Sequence, residues 1–203
     1  MPSGRIATRM IHGRELTGDW KRASGREWLV TNGLGGFAAG TVSGANTRRY
    51  HGLLVASLKP PVERTVLLAK VDLSVNYDGR RYALGANEFD GGAVHPQGYV
   101  HLESFRLQGG LPTWRYAIGD ALLQQQIFMA PLMQSSYLGL RLLRASSPMD
   151  IMLLPLCTHR DYHPQLRGAH AFGVESSESS CSVRAFDGAR AAFVDRTGPL
   201  RAW

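Results

Sequence analysis

Cysteine is nearly absent: Cys157 and Cys181 are the two in a chain of 203 residues. That excludes the disulfide-dense scaffolds by which small secreted domains hold together. Long apolar runs are missing too. The longest, Ile151 to Cys157, is broken by Pro155 and is far too short to cross a bilayer. The opening stretch, Met1 to Arg14, is polar and basic and lacks the apolar segment of a signal peptide. These absences lead us to expect a cytoplasmic protein with reduced thiols and no membrane partner. Runs of like charge are absent as well, although the formal net charge is +7. Basic residues stand singly or in pairs such as Arg48-Arg49 and Arg80-Arg81, and Arg far outnumbers Lys. Without clustering or a recognisable motif, the charge reads as a solvated surface, and no nucleic-acid partner is expected.

Helical periodicity is the next thing lacking. No stretch places apolar residues at three- and four-residue spacing over ten positions with caps at both ends. Alternation with a period of two is abundant instead, burying one face of a sheet and wetting the other. It appears at Val100 to Ser104, Trp114 to Ile118, Tyr137 to Leu143 and Ser182 to Ala185, and Trp28 to Thr31, Leu53 to Val55 and Ala191 to Val194 read as further short strands. Arg64 to Val75 reads as a strand entering a hairpin whose turn includes Asp78-Gly79 and whose partner is Arg80 to Leu84. About a dozen short strands separated by Gly, Pro and Asn/Asp turns predict an all-β antiparallel sandwich or barrel with few or no helices. The Ser-rich piece Ser176 to Ser182 is expected to be a hairpin loop. No repeat or linker is visible, so residues 1–203 read as a single domain.

The most unusual stretch is NGLGGFAAGTVSGANTRRYHGLL, Asn32 to Leu54. Its glycines have the wrong spacing for a dinucleotide fingerprint, and neither a helix nor an acidic residue follows where the ribose would need one. No Gly-Lys-Ser/Thr follows to cradle phosphates, so no nucleotide cofactor is expected. What remains is a turn leading into a strand carrying Arg48, Arg49, Tyr50 and His51. Arg and His can hydrogen-bond vicinal hydroxyls, and an aromatic face can stack on a pyranose. With Asn32 these four are the candidate substrate-binding residues. The competing reading is architectural: such residues brace carbonyls within a loop.

A second cluster is Cys157-Thr158-His159-Arg160-Asp161-Tyr162-His163. Two His four apart converge only on a helix, and Pro155 and Pro164 argue against one, so no metal is expected. No Gly-x-Ser-x-Gly elbow or cysteine-nucleophile signature is present, and no catalytic residue is assigned.

The block from Glu27 to Asp72 closely resembles the amino-terminal domain of bacterial and archaeal glycogen debranching enzymes, the amylo-α-1,6-glucosidases. Thr31 to Gly36, Asn46 to Leu54 and Lys59-Pro60-Pro61 carry most of the likeness. Weaker matches at Asn87 to Phe89, Pro96 to Tyr99, Pro112 to Trp114 and Arg160 to His163 extend it over roughly residues 20–170. The resemblance implies a β-sandwich of supersandwich type preceding an (α/α)-barrel that hydrolyses α-1,6-linked glucosyl stubs. The catalytic carboxylates would lie in that barrel, which this chain lacks, so the chain alone is expected not to be an enzyme. Its implied partners are the barrel and an α-glucan. Two alternatives stand beside this: a docking module that never meets sugar, and a small self-contained hydrolase using Asp161 with another carboxylate.

Overall fold

The computed structural model describes residues 11–166 and 171–196. After β1 (Ile11–His12) come two short helices, α1 (Arg14–Thr17) and α2 (Trp20–Ser24). Next are β2 (Glu27–Thr31), β3 (Phe37–Thr41), β4 (Gly52–Lys59), β5 (Val62–Tyr77) and β6 (Arg80–Ala83). A small hairpin, β7 (Ala86–Glu88) and β8 (Val94–Gln97), precedes β9 (Leu102–Gln108), β10 (Leu111–Ile118), β11 (Ala121–Met129) and β12 (Ser136–Arg144). The long β13 (Met149–Asp161) is followed by β14 (Gly173–Ser176), β15 (Ser180–Arg184) and β16 (Ala192–Asp195).

Two antiparallel sheets face one another. One has the order β1-β9-β10-β11-β12; the other runs β13-β5-β4-β3-β2, with β6 extending the β4 edge of β5. The small sheet β14-β15-β16 is tied to the large one through Ala56, Leu67 and Ala192. Alternation decides which side chains point between the sheets. Along β11 every second residue from Ala121 to Met129 is buried, and β2 buries Trp28 and Val30 while exposing Leu29 and Thr31. Trp28 and Trp114 meet edge to face at 5.4 Å, and Phe105 packs on Trp114 at 5.1 Å. Burying each such ring contributes about 1.5–3 kcal/mol. Both indole N–H groups are satisfied, Trp28 by the Thr41 carbonyl and Trp114 by the Val42 carbonyl. That is what lets two tryptophans sit in one core.

The all-β sandwich expected from alternation is therefore what the chain adopts. Three details differ. The Arg-Arg-Tyr-His segment forms a turn before β4, not a strand, because the His51 ring binds the backbone of Thr47 and Arg48. The serines split between β14, a tight turn and β15, leaving a loop of three residues. The two longest strands, β5 and β13, have 16 and 13 residues and are not short. Among the described residues no helix is long and apolar enough to cross a membrane.

Candidate functional site

Two cavities matter. One, of about 60 Å³, lies between the sheets beside Lys70, Asp72, Tyr116 and Gln125. At roughly 30 Å³ per water it has room for one or two solvent molecules and not for a sugar ring. The other is an open groove of about 540 Å³ on the outer side of the β2–β3 edge. Its walls are Leu29, Thr31 and Phe37, the Gly33–Gly36 turn, Arg64 and Tyr162. This volume falls within the usual range for small-molecule sites, and the groove is the candidate site.

Register explains its assembly. One row crosses five strands: Thr31 opposite Phe37, Phe37 opposite Val55, Val55 opposite Val66, and Val66 opposite Arg160. The chain leaving β13 is thereby delivered beside Phe37 and Arg64, and the Tyr162 N–H donates to the Arg64 carbonyl at 3.1 Å. Arg64 reaches back to the glycine turn, its Nε donating to Gly35 O at 2.7 Å, and its guanidinium lies 5.6 Å from the Tyr162 ring. A side chain at Gly35 would meet the Pro61 carbonyl oxygen at 2.5 Å, and its φ of 88° is one that L residues rarely adopt.

Asn32 is buried and fully committed. Its Oδ1 accepts from Leu34 N and Gly36 N, while Nδ2 donates to Met133 O and Gln134 Oε1. Gln134 in turn brackets the Ser57 backbone at N and O. Asn32 therefore fixes the groove's turn, and its polar atoms are occupied.

His51 is likewise buried. Its Nδ1 accepts from Thr47 N at 3.1 Å and Arg48 N at 3.2 Å, which assigns the neutral ring's proton to Nε2. Nε2 lies 3.4 Å from Glu27 Oε1 in a poorly aimed contact. Burial holds the ring's pKa below the ordinary histidine value, against the opposing pull of Glu27. Arg48 is exposed and its Nε meets the same Glu27 oxygen at 2.7 Å. Arg49, also exposed, sits 5.0 Å over the Tyr50 ring.

Tyr50 joins the two sequence clusters. Its ring packs on Tyr162 at 5.4 Å and on His163 at 5.9 Å, and Tyr162 extends the set to Phe37 at 6.4 Å. Arg160 clamps the assembly by donating to the Arg49 carbonyl and to the carbonyls of Asp161, Tyr162 and Pro164. His159 meets Phe186 edge to face instead, at 5.1 Å, so the two histidines of the second cluster do not converge. The Asp161 carboxylate accepts the backbone N–H of His163 at 2.9 Å.

Of the five candidates, then, the structure brings Arg49 and Tyr50 to the aromatic rim, leaves Arg48 beside it, and buries Asn32 and His51 as supports. Leu29, Phe37 and Arg64 were missed. Leu29 left a signal: it is an apolar residue on the solvent side of an alternating strand, and it is 59% exposed.

No curated protein and no solved structure matches this chain. Residues 26–198 match the family described as the N-terminal domain of glycogen debranching enzyme. That span takes in every element of the groove and both sequence clusters, and the chain belongs to this family.

Proposed function

We propose that this domain packs against the catalytic barrel of an amylo-α-1,6-glucosidase and contacts α-glucan in the groove beneath Tyr162. The observation that carries this reading is a set of packed rings, half-buried Phe37, Tyr50 and Tyr162 with exposed His163, of which Phe37 and Tyr162 line one open depression. Phe37, Tyr50, Tyr162 and His163 pack in a chain, and Arg64 and Arg49 lie against two of their rings. A pyranose has apolar faces that stack on rings and a rim of hydroxyls that accept from guanidinium forks. No carboxylate is among the groove's lining residues. The domain's part is to hold the polysaccharide while bond cleavage is done in the barrel. Calorimetric titration with maltoheptaose tests this: saturable binding weakened at least tenfold by Tyr162→Ala supports it, and absence of heat leaves the scaffold role alone.

A second reading has its own observation. Leu29 is exposed and the groove lining is largely apolar, features that also suit docking of a protein surface. Leu29→Ser separates the two. Loss of association with a separately expressed barrel, with no binding of sugar by either form, selects docking.

A further inference from the structure

The turn that carries Arg49 and Tyr50 to the aromatic rim is closed by one titratable ring. His51 is 3% exposed, and its Nδ1 accepts the backbone N–H groups of Thr47 at 3.1 Å and Arg48 at 3.2 Å. Its own backbone N–H donates to the Arg48 carbonyl at 3.0 Å. Two further ties lie to either side of the ring's contacts. Asn46 Nδ2 donates to Ala69 O at 2.9 Å, and Arg160 donates to the Arg49 carbonyl. Between them the Thr47 and Arg48 amides are held by the imidazole. Tyr50 follows directly, packed on Tyr162 and His163.

A ring nitrogen accepts a hydrogen bond only while it is unprotonated. A proton on Nδ1 would set a donor against two N–H donors, and neither bond survives that. The other edge of the ring responds in the opposite sense. Nε2 lies 3.4 Å from Glu27 Oε1, the oxygen that Arg48 Nε holds at 2.7 Å. A cationic ring competes with Arg48 for this carboxylate, so Arg48 is loosened at its backbone and at its side chain together. The charged groups facing His51 are Glu27 from β2 and Arg48 from the turn itself. Burial disfavours the cation most, Glu27 favours it, and Arg48 disfavours it. Around Tyr50 the charged or titratable groups are Arg49 over its ring, His163 at its hydroxyl, and Asp161 behind His163.

We infer that His51 is a proton-operated latch: the neutral ring closes the 47–51 turn and presents Tyr50 to the rim, and a proton on Nδ1 opens it. Histidine suits such a switch because its charge changes near neutrality. The folded ring takes the proton less readily than a solvated one, so the turn is closed above about pH 6.5 and opens progressively below it. Opening takes up one proton, which raises the open population by up to about tenfold per pH unit between the two pKa values. Weaker glucan contact at low pH follows only if the groove reading proposed above holds; the latch itself does not depend on it.

The test is amide hydrogen exchange of the 203-residue chain by NMR, without sugar, from pH 5 to pH 7.5 and corrected for intrinsic rates. The Thr47 and Arg48 amides should lose protection below about pH 6.5, while the amides of β10 and β11 keep theirs. His51→Asn places a short side-chain oxygen near the position of Nδ1, one that accepts but does not titrate, so its protection should not vary with pH. A response belonging to His163 would survive that substitution. If His51→Asn does not fold by circular dichroism, Glu27→Gln carries the test: without the carboxylate the transition should move to lower pH. Protection that stays constant with pH in the parent, falls equally in His51→Asn, or falls at an unchanged pH in Glu27→Gln overturns the inference. Maltoheptaose titration at pH 5.5 and 7.5 is a separate arm, in which opening of the turn with no sugar bound at either pH refutes the groove and leaves the latch standing.

Discussion

Replacing Asn32 by alanine should cost the domain about 4 kcal/mol of stability. Four hydrogen bonds are lost, at about 1 kcal/mol net each, and the partners left behind are short of solvent to replace them. Three of those partners are backbone groups in two different loops, so the loss also uncouples the glycine turn from the segment around Met133 and Gln134. Asn32→Asp keeps both acceptor functions but turns the Nδ2 donor into an oxygen facing Met133 O and Gln134 Oε1. With a buried carboxylate facing two acceptor oxygens, it should cost at least as much as Asn32→Ala. Urea denaturation of the three proteins measures both differences, with an unchanged slope showing that the unfolded state is not what altered. A loss below about 1 kcal/mol for Asn32→Ala would refute the reasoning, since net hydrogen-bond contributions of that kind belong to solvated sites.

Two other buried polar groups give checks of a different kind. Lys70 Nζ donates to Ala86 O at 2.7 Å and Asn87 Oδ1 at 2.9 Å, and lies 2.8 Å from Asp72 Oδ1. Lys70→Met leaves Asp72 largely buried and without its cation, costing about 3–5 kcal/mol; adding Asp72→Leu should restore part of that in the same denaturation assay. For His51 the folded pKa is depressed, so the unfolded chain binds the proton first. Stability is complete above about pH 6.5, the unfolded value, and declines as pH falls from there toward the folded pKa. His101 shifts the same way, through burial and then the nearby Arg14, and adds to the slope. NMR titration of the two rings alongside stability at pH 5 to 8 measures this, and a flat stability profile or a raised His51 pKa contradicts it.

The sandwich was legible because alternation is a local property. Trp114, Tyr116 and Ile118 are buried as their spacing requires, and the hairpin at Asp78-Gly79 turns where it should. Strand β3 was read as part of a glycine-rich turn, since Gly36 and Gly40 bracket a sequence of small residues with little strand propensity; pairing with β2 over Phe37–Thr41 overrides that. The roles of the site residues were harder to read because they are set by distant partners. Asn32 binds residues 101 and 102 positions away, and Tyr50 meets His163 across 113. Nothing local distinguishes a polar residue that will face a ligand from one that will brace a loop. The convergence of the two clusters depends on the pairing of β13 with β5, with Arg160 opposite Val66, and that register is a long-range outcome.

Isotope-edited NMR of the 203-residue chain titrated with maltoheptaose examines the groove residue by residue. Shift changes that saturate together and centre on Leu29, Thr31, Phe37, Arg64 and Tyr162 are expected, with Asn32 and His51 following only as neighbours. Spectra that stay unchanged to millimolar sugar, or changes centred away from the β2–β3 edge, would contradict the glucan contact.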